Sequence, residues 1–203
     1  MRLVLATRNQ HKVGELRAIL APLLGGLATE DIAGADLFDA PEPVEDEVTF
    51  AGNALIKARQ LASATGLVAL ADDSGLAVDV LGGCPGVFSA RWSGQHGSDK
   101  QNVQLLLSQL ADVPDRYRAA AFVCAAAMVT PDGREYVRIA EMRGSLIHEP
   151  RGTNGFGYDP IFRPEGYEVS TAQLAPEVKD AISHRGKAFR ELAPLIRQEL
   201  GLD

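Results

Sequence analysis

At 203 residues, with 46% hydrophobic and 23% charged side chains, the chain has an ordinary globular make-up and enough length to bury a substantial core. A formal net charge of −7 argues against a nucleic-acid-binding surface, which needs a basic stripe. A few cations focused in a cleft can still hold a phosphorylated small molecule. No apolar run approaches the ~20 residues that span a bilayer, and the N-terminal apolar stretch is too short for a signal peptide. No membrane partner and a cytoplasmic location are therefore expected. Cys84 and Cys124 have no metal-ligand or disulfide spacing and read as isolated buried thiols.

In chain order, Arg2 to Ala6 reads as a buried strand, and Thr7-Arg8-Asn9 as a polar turn. Val13, Leu16, Ile19, Leu20 and Leu23 recur at helical spacing until Gly25-Gly26 stops them. Leu27 to Ile32 is the next expected strand. Gly34 to Glu47 holds two prolines and six acidic residues and is a long loop, a length often kept for function. Thr49 is an N-cap for a helix to about Ala64 that buries Phe50, Ala54, Ala58 and Leu61, with Asn53 and Lys57 one turn apart on another face.

Leu67 to Ala71 is an apolar strand expected to end in Asp72-Asp73, followed by a further apolar stretch from Leu76 to Val80. A helix is expected from Asp99 to Leu110. Arg118 to Thr130 and Glu135 to Ser145 flank Pro131-Asp132-Gly133, a hairpin signal. A short strand over Tyr158 to Phe162 and a final helix over Lys187 to Leu200 complete the reading. Strands alternating with helices around a hairpin predict an α/β fold with a mixed sheet flanked by helices. The 203 residues are read as a single domain of two lobes, with a cleft between them.

The residues able to carry chemistry lie at element ends. A strand that ends in two carboxylates puts negative charge where open α/β sheets bind ligands and metals. Adjacent carboxylates repel unless a cation or proton sits between them. Asp72 and Asp73 can ligate Mg²⁺ through hard oxygens, serve as a base for water, or cap a turn in solvent. Thr7-x-Asn9-x-x-Lys12 precedes a helix whose N–H groups and dipole favour an anion, although a capped helix with a surface lysine has the same pattern. Lys57 can reach a second phosphate or stay solvated, and Glu45 can stay solvated or sit favourably ahead of a helix N-terminus. Glycines around Phe156 let a backbone approach a ligand, and an exposed Phe there can stack on a base. Ser183-His184-Arg185 groups hydroxyl, imidazole and guanidinium donors suited to carbonyl oxygens.

Leu5-Ala6-Thr7-Arg8-Asn9-Gln10-His11-Lys12, Thr49-Phe50-Ala51-Gly52-Asn53-Ala54, Ala71-Asp72-Asp73-Ser74-Gly75, Pro85-Gly86-Val87-Phe88-Ser89-Ala90-Arg91, Gly155-Phe156-Gly157-Tyr158-Asp159-Pro160 and Ser183-His184-Arg185-Gly186 follow one another over nearly the whole chain. The ordered set closely resembles the inosine triphosphate pyrophosphatase family, the bacterial XTP/dITP diphosphatases. The resemblance implies Mg²⁺-dependent hydrolysis of ITP, dITP or XTP to monophosphate and pyrophosphate by a homodimer. It implies triphosphate contacts from Thr7, Arg8, Asn9, Gln10, His11, Lys12 and Lys57, metal ligation by Glu45 and Asp73, and Asp73 as proton acceptor. Ser74 would contact substrate, Phe156 would stack on the base, and Gly157, Tyr158, Asp159, Lys179, His184 and Arg185 would surround it. Arg8 and Gly52 depart from the family's usual residues at their positions. A Maf-like pyrophosphatase of modified pyrimidine nucleotides and a non-enzymatic nucleotide sensor are the alternatives.

Overall fold

Leu3–Leu5 (β1) lies between two parallel neighbours, pairing Leu3 with Ile32 of Ile32–Gly34 (β2) and Leu3 with Val68 of Val68–Val78 (β3). The computed structural model of the chain describes residues 2–8, 10–25 and 27–202, with His11 and Thr29 described by backbone alone. Six strands form one mixed sheet in the order β2-β1-β3-β4-β5-β6, with Ala119–Val129 (β4), Glu135–Leu146 (β5) and Phe162–Pro164 (β6), the last antiparallel to β5. The helices are Gln10–Leu23 (α1), Phe50–Thr65 (α2), Asp99–Gln109 (α3), Pro176–Ile182 (α4) and His184–Leu200 (α5). None of them is long and apolar enough to cross a membrane.

The chain divides into two compact units. One comprises Met1–Asp73, Cys124–Ala140 and Arg185–Asp203; the other comprises Ser74–Val123 and Glu141–His184. In the first unit, alternation along the strands sorts side chains to two faces. Leu3, Leu5, Val68, Leu70, Cys124, Ala126 and Met128 pack with Val13, Leu16 and Leu20 of α1 and Phe189, Leu192 and Ile196 of α5. Val4, Ala69, Ala71, Ala125 and Ala127 pack with Ala54, Ala58 and Leu61 of α2. Small alanines on that second face let α2 lie close to the strands. The second unit has its own core, in which Leu76, Val103, Leu106, Phe122, Met142, Ile161 and Phe162 meet. Within it the fully buried Arg118 donates to the carbonyls of Leu110, Leu146 and Ile147 at 2.7, 2.8 and 3.2 Å.

Several boundaries differ from the sequence reading. The second strand is Ile32–Gly34 rather than Leu27 to Ile32, because Thr29–Asp31 forms a 3-10 turn whose last carbonyl accepts from Arg2 N. β3 runs unbroken from Val68 to Val78, joining the first expected stretch to the start of the second, whose end passes into the 3-10 turn Asp79–Leu81, so Asp72 and Asp73 lie inside a strand and not at its end. Its neighbour β1 stops opposite Leu70, which leaves the carboxylates just past β1's last paired residue. Asp159–Ile161 is a 3-10 turn with Pro160 in its first turn, so the expected strand over Tyr158 to Phe162 starts only at Phe162. The last helix begins at His184, three residues early, because an extended Ser183 separates it from α4. Cys124 is buried as expected, whereas Cys84 is exposed in a glycine-rich turn.

Gly144 of β5 sits opposite Pro164, where β6 crosses closely. A β-carbon there would collide with the Arg163 carbonyl oxygen and come within 2.7 Å of the Phe162 ring. Gly144→Ala is expected to destabilise the fold by about 1–3 kcal/mol, the usual cost of overpacking against backbone. Chemical denaturation checks it, and an unchanged midpoint would contradict this account of the crossing.

Candidate active site

The pleat of β3 decides what each acidic residue meets. Residues 68, 70 and 72 point to the α1–α5 face, and residues 69, 71 and 73 point to the α2 face. Asp72 accordingly meets α5 and α1. Arg185 Nε and Nη2 donate to Asp72 Oδ2 at 3.1 and 2.9 Å, and Lys12 Nζ lies 3.7 Å from the same oxygen. Asp73 meets α2: Lys57 Nζ approaches Asp73 Oδ1 at 3.1 Å, and Asn53 Nδ2 lies 3.4 Å from Asp73 Oδ2. The strand turns the two carboxylates to opposite faces, each toward cations of its own, while the Lys57 charge acts on both.

Lys57 Nζ also lies 3.2 Å from Glu45 Oε1, so Glu45 and Asp73 converge on one buried ammonium. Glu45 comes from the acidic loop, which is tied down at several points. The Arg8 guanidinium donates to the Ala40 carbonyl, and Gln60 Nε2 donates to the Pro41 carbonyl at 2.6 Å. Glu47 N–H donates to Asn53 Oδ1 at 3.1 Å. Side chains thus satisfy a backbone that has no sheet partner. Thr7, Arg8, Glu45 and Lys57 border a narrow pocket of about 50 Å³, room for an ion or a few waters.

The electrostatics of the two carboxylates differ in kind. Burial alone would push the Asp72 carboxyl up, but Arg185, Lys12 and Lys57 outweigh it and hold the group well below the usual carboxylate range. For Asp73 burial is the largest effect and raises the carboxyl; Lys57 opposes it, and Glu45 and Asp72 add to it. Burial would lower the Lys57 ammonium, yet Asp73, Asp72 and Glu45 together raise it, so the lysine stays charged. One carboxylate is held well into its ionised form, and burial shifts the other in the opposite direction.

A second group of predicted residues lies together in the other unit. Asp159, with 5% of its side chain exposed, accepts from Phe156 N–H at 2.9 Å, Thr171 Oγ1 at 3.0 Å and Lys179 Nζ at 2.6 Å. Gly155 has a φ of +76°, and a β-carbon there would fall 2.9 Å from Lys179 Nζ, so glycine is required at this turn. Gly157 N–H donates to Asp99 Oδ2 at 2.8 Å. Fixed by two carboxylates, the loop leaves the Phe156 ring 51% exposed, with Lys179 Nζ 5.4 Å from its centroid. Tyr158 is buried, and its hydroxyl donates to the Ser89 carbonyl at 2.9 Å. Burial and the Asp99 charge push that phenol far up, so it remains a donor. The His184 ring stacks on Phe122 at 5.1 Å.

Of the residues singled out from sequence, Glu45, Lys57 and Asp73 are brought together, and so are Phe156, Asp159 and Lys179. Lys12 and Arg185 go to Asp72 instead, and Ser74 and Gln10 are half-buried and exposed on their own segments. Asn9 and the side chain of His11 lie outside the described residues. Two acidic residues escaped sequence reading. Glu15, which accepts from Arg185 Nη1 at 2.8 Å, was marked only by following Lys12 at helical spacing. Asp99 reads as an ordinary first-turn acid of α3.

The folded chain binds the Asp72 proton less tightly than the unfolded chain does. The ionised pair therefore stabilises the fold fully above the unfolded carboxylate value of ~3.9, and this contribution drains away as pH falls below it. Asp72→Asn is expected to cost about 3–5 kcal/mol at neutral pH, as for a buried charge stripped of its partner. Thermal denaturation should show the gap narrowing below about pH 4; a gap that widens there would reverse the assignment.

Comparison with known proteins completes the description. A dITP/XTP pyrophosphatase of Streptomyces avermitilis is 60% identical over 201 residues, covering 98% of this chain and 99% of its own. One from Corynebacterium efficiens is 55% identical over 207 residues, covering 99% of this chain and all of its own. A crystal structure of a nucleoside-triphosphatase, dITP/XTP pyrophosphatase, from Mycobacterium abscessus is 49% identical with a TM-score of 0.78, covering 96% of this chain and 100% of its own. A HAM1 protein structure from Coxiella burnetii is 37% identical with a TM-score of 0.87, covering 98% and 99%. The Ham1 family matches residues 3–195, and the chain belongs to it.

Proposed function

We propose that the chain hydrolyses non-standard purine nucleoside triphosphates, ITP, dITP and XTP, to nucleoside monophosphate and pyrophosphate, with Mg²⁺ as cofactor. The observation that carries the reading is the convergence of Glu45 and Asp73, from a loop and a strand, on Lys57 at 3.2 and 3.1 Å. The names of the relatives support the same activity. Glu45, which borders the small pocket, and Asp73, which shares the Lys57 ammonium with it, offer the hard oxygens that fit Mg²⁺, an ion that takes one or two protein carboxylates and completes its shell with water and phosphate oxygens. Glu45 and Asp73 would hold the ion, which would neutralise phosphate charge.

The chain's own groups divide the remaining work. Asp73 accepts the proton of a water whose oxygen bonds to the α-phosphorus, while the bond from that phosphorus to the bridging oxygen breaks and pyrophosphate departs. Lys57 and Lys12 stabilise the charge that gathers on the leaving group. Thr7, Arg8, Asn9, Gln10 and His11 are assigned to the phosphates by the family resemblance, and Ser74 to a hydroxyl contact with substrate. The exposed Phe156 ring suits stacking of a purine, and Gly157, Tyr158, Asp159, Lys179 and His184 frame it. Donors aimed at the 6-oxo group leave a 6-amino group mismatched, and unpaired buried donors make that rejection strong. The same reading takes the chain as a cytoplasmic homodimer with no nucleic-acid or membrane partner.

Asp73→Asn is expected to lower turnover of dITP by about 10³-fold or more while circular dichroism and melting stay near wild type. Near-normal pyrophosphate release would refute the assignment. Phe156→Ala is expected to raise KM for dITP about 10- to 100-fold, the equivalent of ~1–3 kcal/mol of stacking. An unchanged KM would remove Phe156 from base recognition.

A further inference from the structure

On the α1–α5 face of β3, one buried guanidinium ties three elements together. Arg185, at the start of α5, directs two nitrogens to Asp72 Oδ2 at 3.1 and 2.9 Å and its third to Glu15 Oε2 of α1 at 2.8 Å. The side chains of Arg185 and Asp72 are only 3% and 2% exposed. Lys12, three residues before Glu15 and so on the same edge of α1, places its ammonium 3.7 Å from Asp72 Oδ2 and is 26% exposed. The buried half of this network has no water to exchange with, so its geometry is held by charge on every side. The lysine is its outlet to solvent, at the first turn of α1, where helix amides favour anions.

We infer that Asp72 is a positioning residue for phosphate recognition. Locked by Arg185, which Glu15 holds in turn, it fixes the Lys12 ammonium where the oxygens of a tripolyphosphate or pyrophosphate bind. Asp72 touches no phosphate; its charge acts through Lys12. An ammonium held in place beforehand loses less freedom on binding than one on a mobile stem. Asp73, one residue along, faces α2 and serves other partners, so the adjacent carboxylates divide into one that orders a cation and one that meets water and metal. Arg185 belongs to the same device and donates inward, to carboxylates of its own unit. This assignment rests on the pyrophosphatase reading above.

The test is a double-mutant cycle read by calorimetric binding of pyrophosphate, with inosine as a second probe, on Lys12→Met, Asp72→Asn and the double variant. Each single change is expected to weaken pyrophosphate about tenfold and the double change little more, since the second removes nothing that remains. Inosine affinity is expected to stay within about twofold throughout, because a local change in Lys12 leaves the base platform alone. Losses that multiply to about a hundredfold in the double variant overturn the assignment, as does parallel loss of inosine binding, which marks a general collapse. If Asp72→Asn does not fold, Asp72→Glu keeps the charge but shifts the carboxylate by one methylene; weakened pyrophosphate binding supports the role and unchanged binding overturns it. A wild-type protein that binds no pyrophosphate overturns both this role and the proposed activity, whereas multiplicative losses in a protein that releases pyrophosphate from dITP overturn this role alone.

Discussion

Two neighbouring residues on a strand cannot face the same way, and the site in the first unit is a consequence of that geometry. Asp72 and Asp73 occupy one strand of a sheet with helices on both faces, so the pleat hands one carboxylate to α1 and α5 and the other to α2. What each becomes then depends on the cations those helices carry. Arg185 offers a planar, permanently charged fork suited to a buried carboxylate, and Asp72 is held ionised by it. Lys57 offers a single point of charge that Asp73 shares with Glu45.

The two carboxylates are held in different ways. The locked member keeps its geometry because removing either partner would strand a charge in a dry interior. The other member, Asp73, is half-buried, and burial together with Glu45 and Asp72 raises its carboxyl against the pull of Lys57. The termination of β1 at Leu5 keeps the place beside them open.

The loop in the second unit follows a similar economy. Asp159 and Asp99 each capture a backbone amide, of Phe156 and Gly157, and the ring between them stays outward. An apolar ring held in solvent is costly to leave uncovered, and a rigid backbone beneath it limits how far it can fold away. The acidic loop of the first unit is fixed by the opposite device. There, side chains from α2 and Arg8 donate to loop carbonyls, so a segment without secondary structure still presents Glu45 at a defined place.

Periodicity in the chain was enough to read the helices of α1, α2 and α3, the hairpin and the α/β class, because amphipathic spacing and turn chemistry are local properties. The ordered motifs were enough for family and activity, and Glu45, Lys57, Asp73 and Phe156 were named from them. Local pattern could not say that the acidic pair sits inside a strand, since a run of polar residues reads as a break unless the sheet around it is known. Nor could it pair Arg185 with Asp72 and Glu15, residues 113 and 170 positions away. Which residue a buried charge meets is decided by which elements the sheet brings face to face, and that is a property of the tertiary structure alone.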